Sequence, residues 1–291
     1  MEVRSKESSG FWEKLENIDH RILYWILIVA IAIPYLRPLG IPVPVTEPVQ
    51  DFYNTLDALP PGSTMILEIS SGPSAYGEIG PSSEAVMEYL TKIYPEHHGG
   101  DRLRFVILSV SEQGPLMYNA YAKPKFDETG WQYGVDYAYF GFISGLETAV
   151  ARLAEDIPSL LPSDYLGNDI DDLKAMDGIH SYKDIAAVMV WDSMGATEWY
   201  VKHWASKGVK VGNVCVAVSL PAYTMYYKNK DMYGFIGSSR GGAEFEYLIG
   251  KPGDAVATTD TLSLSHLWVI ILIITGNIGL LVEKYFSHSK R

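Results

Sequence analysis

The sequence predicts an α/β fold: an open, doubly wound, mostly parallel sheet in three layers, Rossmann-like in plan, flanked by one N-terminal and one C-terminal transmembrane helix. Three observations carry this. Short runs rich in strand formers alternate with amphipathic helical patterns. The runs are near-continuously apolar, as in parallel strands covered on both faces. Two longer apolar stretches, Ile22–Leu36 and Leu262–Val282, bracket everything else.

The C-terminal stretch, LSLSHLWVIILIITGNIGLLV, contains no Lys, Arg, Asp or Glu. As a helix its 21 residues reach about 31 Å, close to a hydrocarbon core of roughly 30 Å. The N-terminal stretch reaches only about 22 Å and is extended to a span over residues 22–38 by letting Arg37 snorkel. Ala30-Ile31-Ala32 matches a cleavage pattern, but the long, slightly acidic region before it favours an uncleaved anchor. The expected plan is therefore a leader at 1–21, a domain at 39–261, a second span at 262–282 and a tail at 283–291. Lys14 and Arg21 before the first span, and Lys284, Lys290 and Arg291 after the second, place both termini in the cytoplasm and the domain outside.

Between the spans the elements follow in order. Val49–Leu59 has helical spacing and ends at Pro60-Pro61-Gly62. Strands are expected at 64–70, 103–110, 135–143, 185–191 and 211–218, and helices at 84–94, 115–122, 145–155, 197–206 and 241–249. Ser82-Ser83 reads as the cap of the first of these helices and Thr197 as the cap of a later one. Residues 157–183 are long, acidic and aperiodic, which suggests a functional flap or a solvated excursion. Tyr133, Tyr137, Tyr139 and the group Tyr223, Tyr226, Tyr227, Tyr233 read as lining either a pocket or a subunit interface.

Charge narrows the partners. The chain has 291 residues, 23 Lys/Arg and 35 Asp/Glu, a net charge of −12. Removing the two ends (seven bases, six acids) leaves 16 bases and 29 acids in 22–282. Such a surface repels nucleic acid, which is excluded as a partner. The single cysteine, Cys215, sits in a strand pattern and reads as a small buried hydrophobe. No histidine has metal-ligand spacing, so neither a metal nor a cofactor is expected.

In parallel sheets ligands sit beyond the carboxyl ends of the strands, and four loops qualify there. Residues 70–81 offer Ser71, Gly72 and Gly77 as a cradle for an anion, without a Walker or dinucleotide fingerprint. Residues 111–115 form the second loop. Residues 191–198 place Asp192 and Ser193 at a strand end, without the nucleophile-elbow motif. Residues 237–247 open a helix with small residues, Arg240 and Gly241. Arg240 reads either as the partner of a bound anion or, in the plainer reading, as bridging an acid beside tightly packed helices. These seven residues are the candidate ligand set, and no catalytic residue is assigned.

The order of signals resembles a family of uncharacterised membrane-anchored α/β proteins of bacteria and archaea. The resemblance rests on Leu59-Pro60-Pro61-Gly62-Ser63, Glu78 with Pro81, Glu112-Gln113-Gly114-Pro115, and Gly241-Gly242-Ala243-Glu244-Phe245-Glu246-Tyr247 shortly before a span. The family's segment reads G-A-A-E-Y-E, and here Phe245 replaces its tyrosine. The resemblance covers about residues 49–250 and carries no established activity. Together these readings lead to a self-assembling structural component of a membrane complex, partnered by the bilayer and by copies of itself. The alternatives are a sensor or transport-accessory domain for a small anionic ligand, and a hydrolase or transferase built on Asp192, Ser193 and Arg240.

Overall fold

The computed structural model describes residues 18–288. Most of the leader expected at 1–21 lies outside the described residues, as does the end of the tail. The chain divides into two compact units. One holds the apolar helices, up to Ile41 and from Ala257; the other is Pro42–Val256.

The larger unit is built on a six-stranded, all-parallel sheet: β1 Thr64–Ser70, β2 Arg104–Ser109, β3 Tyr137–Phe142, β4 Ile185–Asp192, β5 Lys210–Cys215 and β6 Gly234–Gly237. Their order is β3-β2-β1-β4-β5-β6. This is the order of doubly wound dinucleotide-binding sheets, with a topological switch point between β1 and β4. β1 is buried along its whole length, which is why its sequence shows no alternation.

Alternate β1 residues feed two separate cores. Met65, Leu67 and Ile69 face one side, with α2 (Glu47–Asp57), α3 (Tyr76–Glu88) and Phe245 of α7 (Ser238–Leu248). Ile66 faces the other, with α4 (Leu146–Glu155) and α5 (Ala196–His203). Tyr223, from α6 (Leu220–Lys228), joins that second core. Three layers result. The five expected strands form within one or two residues of their expected starts. The short β6 and helix α6 are additional: four residues with two glycines, and a tyrosine-rich segment, carry too little pattern to announce themselves.

Several expectations are corrected. α3 begins at Tyr76 rather than residue 84, because Pro73 opens a helical turn and Pro81 is tolerated within the helix. Ser82 and Ser83 are therefore buried inside α3, not its cap. Residues 157–183 are no solvated excursion: Ile157, Leu161, Leu173, Ala175, Met176 and Ile179 are buried in the second core. Tyr137, Tyr139 and Tyr223 are core residues, and Tyr139 lies 3.6 Å, ring centre to ring centre, from Tyr118.

Small residues let α7 approach α3. A Cβ at Gly242 would lie 2.2 Å from Ser82 Oγ and 2.9 Å from the Ala255 Cβ. The Ser82 hydroxyl donates to Ser238 O at 2.9 Å across the same contact. The glycine pair thus serves helix packing.

In the other unit, α1 (His20–Leu36) is an apolar helix of 17 residues, about 26 Å long. α8 (Asp254–His288) contains one stretch, Asp254–Val282, that is long and apolar enough to cross a membrane. Asp260 joins the two: its carboxylate accepts from the backbone N–H groups of Leu39, Gly40 and Ile41 at 2.7, 2.9 and 3.1 Å.

Gly242→Val should force α7 and α3 apart and lower unfolding stability by about 1–3 kcal/mol. Denaturant unfolding of the full-length protein followed by tryptophan fluorescence checks this. An unchanged midpoint would refute the close-packing account.

Candidate functional site

The strand ends at the β1–β4 switch point bring Ser71, Asp192 and Ser193 together. Ser70 pairs with Asp192 in register, and Ser193 N–H donates to Ser70 O at 3.0 Å. Loops from other strands converge here. Gln113 fills the space a side chain at Gly72 would need, and the Glu78 carboxylate accepts from Ala217 N–H. Ser239 Oγ donates to Glu78 O at 3.0 Å.

Asp192 is occupied by its own loop. Oδ1 accepts from the N–H groups of Met194, Gly195 and Ala196 at 3.0, 2.8 and 3.2 Å. Oδ2 accepts from Thr197 N–H at 2.9 Å, Thr197 Oγ1 at 2.6 Å and Tyr223 OH at 2.5 Å. The first turn of α5 is thus capped by Asp192, with Gly195 left-handed at φ 93°, and Thr197 is not the cap. Asn213 Nδ2 donates to Thr197 Oγ1 at 3.0 Å and extends the network into β5. In effect the carboxylate is a built-in anion in the place where this fold binds exogenous ones.

The other candidates are placed elsewhere or filled. Ser71 is buried, and its hydroxyl has no partner among the described residues. Gly77 lies in the first turn of α3 rather than in a loop. Arg240 Nε sits 3.4 Å from Glu244 Oε1 on the same helix, the plainer of the two readings. Gly241 packs on Ile236. Among the described residues no base reaches the Ser193 hydroxyl, the contact an activated serine needs. Burial and the Asp192 charge push the Cys215 thiol well up, which keeps it protonated and inert. No group of three or more His, Cys, Asp or Glu among the described residues could hold a metal ion.

The acids of the Gly241–Tyr247 segment have structural work instead. Glu244 Oε2 accepts from Thr46 N–H at 2.9 Å and Thr46 Oγ1 at 2.6 Å, which holds the chain at the start of α2. Glu246 accepts from the N–H groups of Gly253, Ala255 and Val256 at 2.7, 3.0 and 2.9 Å, which caps α8. Between them Phe245 is fully buried against Phe52 and Tyr89. The E-F-E pattern thus fastens the segments that enter and leave the larger unit.

One site residue escapes the sequence reading. Glu68 lies in mid-β1, fully buried. Its Oε1 accepts from Ser70 Oγ at 2.6 Å and Val110 N–H at 2.9 Å, while Oε2 has no partner among the described residues. Burial, with the Asp192 charge adding, pushes its pKa up to about 8, so it carries a proton at neutral pH. The only signal in the sequence is one acid inside the otherwise apolar run TMILEIS.

Comparison with protein-family models, curated proteins and solved structures returns no match. The family resemblance therefore rests on the quoted motifs, and the fold on the strand order itself.

Glu68 gives a signed pH dependence. Below about pH 4.5 folded and unfolded chains both hold the proton. Between there and about pH 8 only the folded chain does, so rising pH favours unfolding; above pH 8 the effect levels off. Glu68→Gln should flatten the fall in melting temperature over that interval, removing on the order of a few kcal/mol of pH-dependent destabilisation. A parallel pH profile for the variant would refute the buried-acid assignment. Asp192→Ala, by leaving the α5 amides and the Tyr223 hydroxyl without their acceptor, should cost about 3–5 kcal/mol by denaturant unfolding.

Proposed function

We propose that the chain is a membrane-anchored structural component that assembles with copies of itself. The carrying observation is the character of the strand-end edge. Where a binding domain keeps an open polar crevice, this edge is filled by the chain's own side chains and rimmed by exposed apolar ones. Phe142 ends β3 and Leu146 follows it, Leu116 follows β2, Met194 follows β4 and Val218 follows β5, in the spatial order of those strands. Val218 is 85% exposed and Leu116 59%. A row of large hydrophobics at the ends of neighbouring strands suits burial against another protein surface.

Backbone strain supports the same edge. Two of the three described non-glycine residues with positive φ lie on it: Leu146 at 49° and Ser238 at 55°. A leucine held left-handed and half exposed is maintained against its local preference, as at interaction sites.

The anchor is proposed as a two-pass hairpin with both termini cytoplasmic. α1 runs towards the Asp260 clamp and α8 runs away from it, and the Thr261 hydroxyl meets Ile31 O at 3.5 Å. A hairpin with one long helix and one short, tilted helix accommodates the mismatch in length. The Lys/Arg bias outside both helices sets the proposed orientation.

The reading requires the detergent-solubilised full-length protein to be a uniform oligomer by light scattering, and a monomer would sink it. Val218→Asp and Phe142→Asp, which alter exposed side chains and should leave the melting temperature within about 1 kcal/mol of stability, should reduce that mass.

A further inference from the structure

The C-terminal helix carries polar groups where a lone membrane hairpin should have none. His266 and Asn277 are eleven residues, three helical turns, apart and so lie within about 20° of one face. Ser263 falls on the same stripe. All three are exposed. Asn277 lies five residues from the end of the apolar stretch, about 8 Å inside it, at hydrocarbon depth. Its Nδ2 donates to Ile273 O at 2.8 Å, which leaves one N–H and the carbonyl oxygen without partners among the described residues. The His266 ring likewise has no partner among them.

The opposite face of α8 is less exposed. Leu264, Trp268, Leu272, Thr275, Gly279 and Val282 are less exposed than their neighbours, at steps of three and four. Leu23, Leu27, Ala30 and Pro34 of α1 show the same step. The Asp260 clamp and the Thr261–Ile31 contact bring these two stripes together at one end. From that contact the described α1, which starts at His20, reaches to about Leu272 of α8. The less exposed stripe points roughly away from His266 and Asn277, so α1 lies off the His266 face and ends short of Asn277.

We propose that the His266–Asn277 face of α8 is the intramembrane contact between two copies of this chain. Polar side chains at that depth face the interior of a helix bundle rather than lipid. A second copy fits for two reasons. Copies inserted with one topology run parallel, so every polar position meets its equivalent at the same depth. An asparagine carries donor and acceptor together, and its free N–H and C=O can pair reciprocally across a two-fold axis.

This inference rests on the self-assembly reading, and the experiment separates the two. Full-length Asn277→Cys and Leu272→Cys are reconstituted into palmitoyl-oleoyl phosphatidylcholine vesicles and oxidised mildly. The unchanged parent, whose only cysteine is buried, serves as blank. A disulfide-linked dimer for Asn277→Cys, with Leu272→Cys at the level of the parent, is expected. In parallel, the mass of Asn277→Leu/His266→Leu in detergent should fall below that of the parent, and Asn277→Gln should retain it. An oligomeric parent with no cross-link at 277, or with equal cross-linking at 272, overturns this contact and leaves assembly standing through the rim. A monomeric parent overturns both.

Discussion

Carboxylates that accept from backbone N–H groups hold this chain together. Asp192 takes four successive amides at the start of α5, Glu246 three at the start of α8, and Asp260 three in the segment leaving α1. Glu244 fixes Thr46, and Asp164 accepts from Leu166 and Asn168. Orphan amides at turns and helix starts must find acceptors when buried, and charge-assisted bonds to them are the strong kind. Much of the acidity of the domain thus has a structural origin beside its effect on solubility.

The same interaction shapes what the strand-end edge can do. A doubly wound sheet gathers its helix N-termini at one edge, which is why such folds bind anions there. In this chain Asp192 and Glu78 occupy donors at that edge, and Gln113 fills the gap beside Gly72. A second acid nearby, Glu68, is held protonated by its burial, with the Asp192 charge adding. The functional proposal follows from this balance: polar chemistry turned inward, apolar side chains left outward.

Much of the sheet was legible because its signal is collective. Five near-continuous apolar runs at sheet-like spacing survive errors of a residue or two at each end. The start of α3 was not, because Pro73 and Pro81 read as loop residues when one opens a helix and the other is absorbed into it. The 157–183 segment misled for a related reason. Its acids dominate its composition, yet its scattered Ile157, Leu161, Leu173 and Met176 are what the sheet buries. Ser71, Asp192 and Ser193 lie at adjoining strand ends, which a parallel sheet brings together, and Arg240 pairs with Glu244 four residues along its own helix.

The sequence by itself determined the alternation of strands and helices and the apolar C-terminal stretch of spanning length. These depend on pattern along the chain. Only the tertiary structure decided that Asp192 faces its own loop, that Glu246 caps a helix eight residues further on and that Glu68 is a buried, protonated acid. Each of those depends on which backbone amides or apolar side chains surround one carboxylate. Sequence separation does not encode that, because the neighbours come from elements that meet only when the sheet closes.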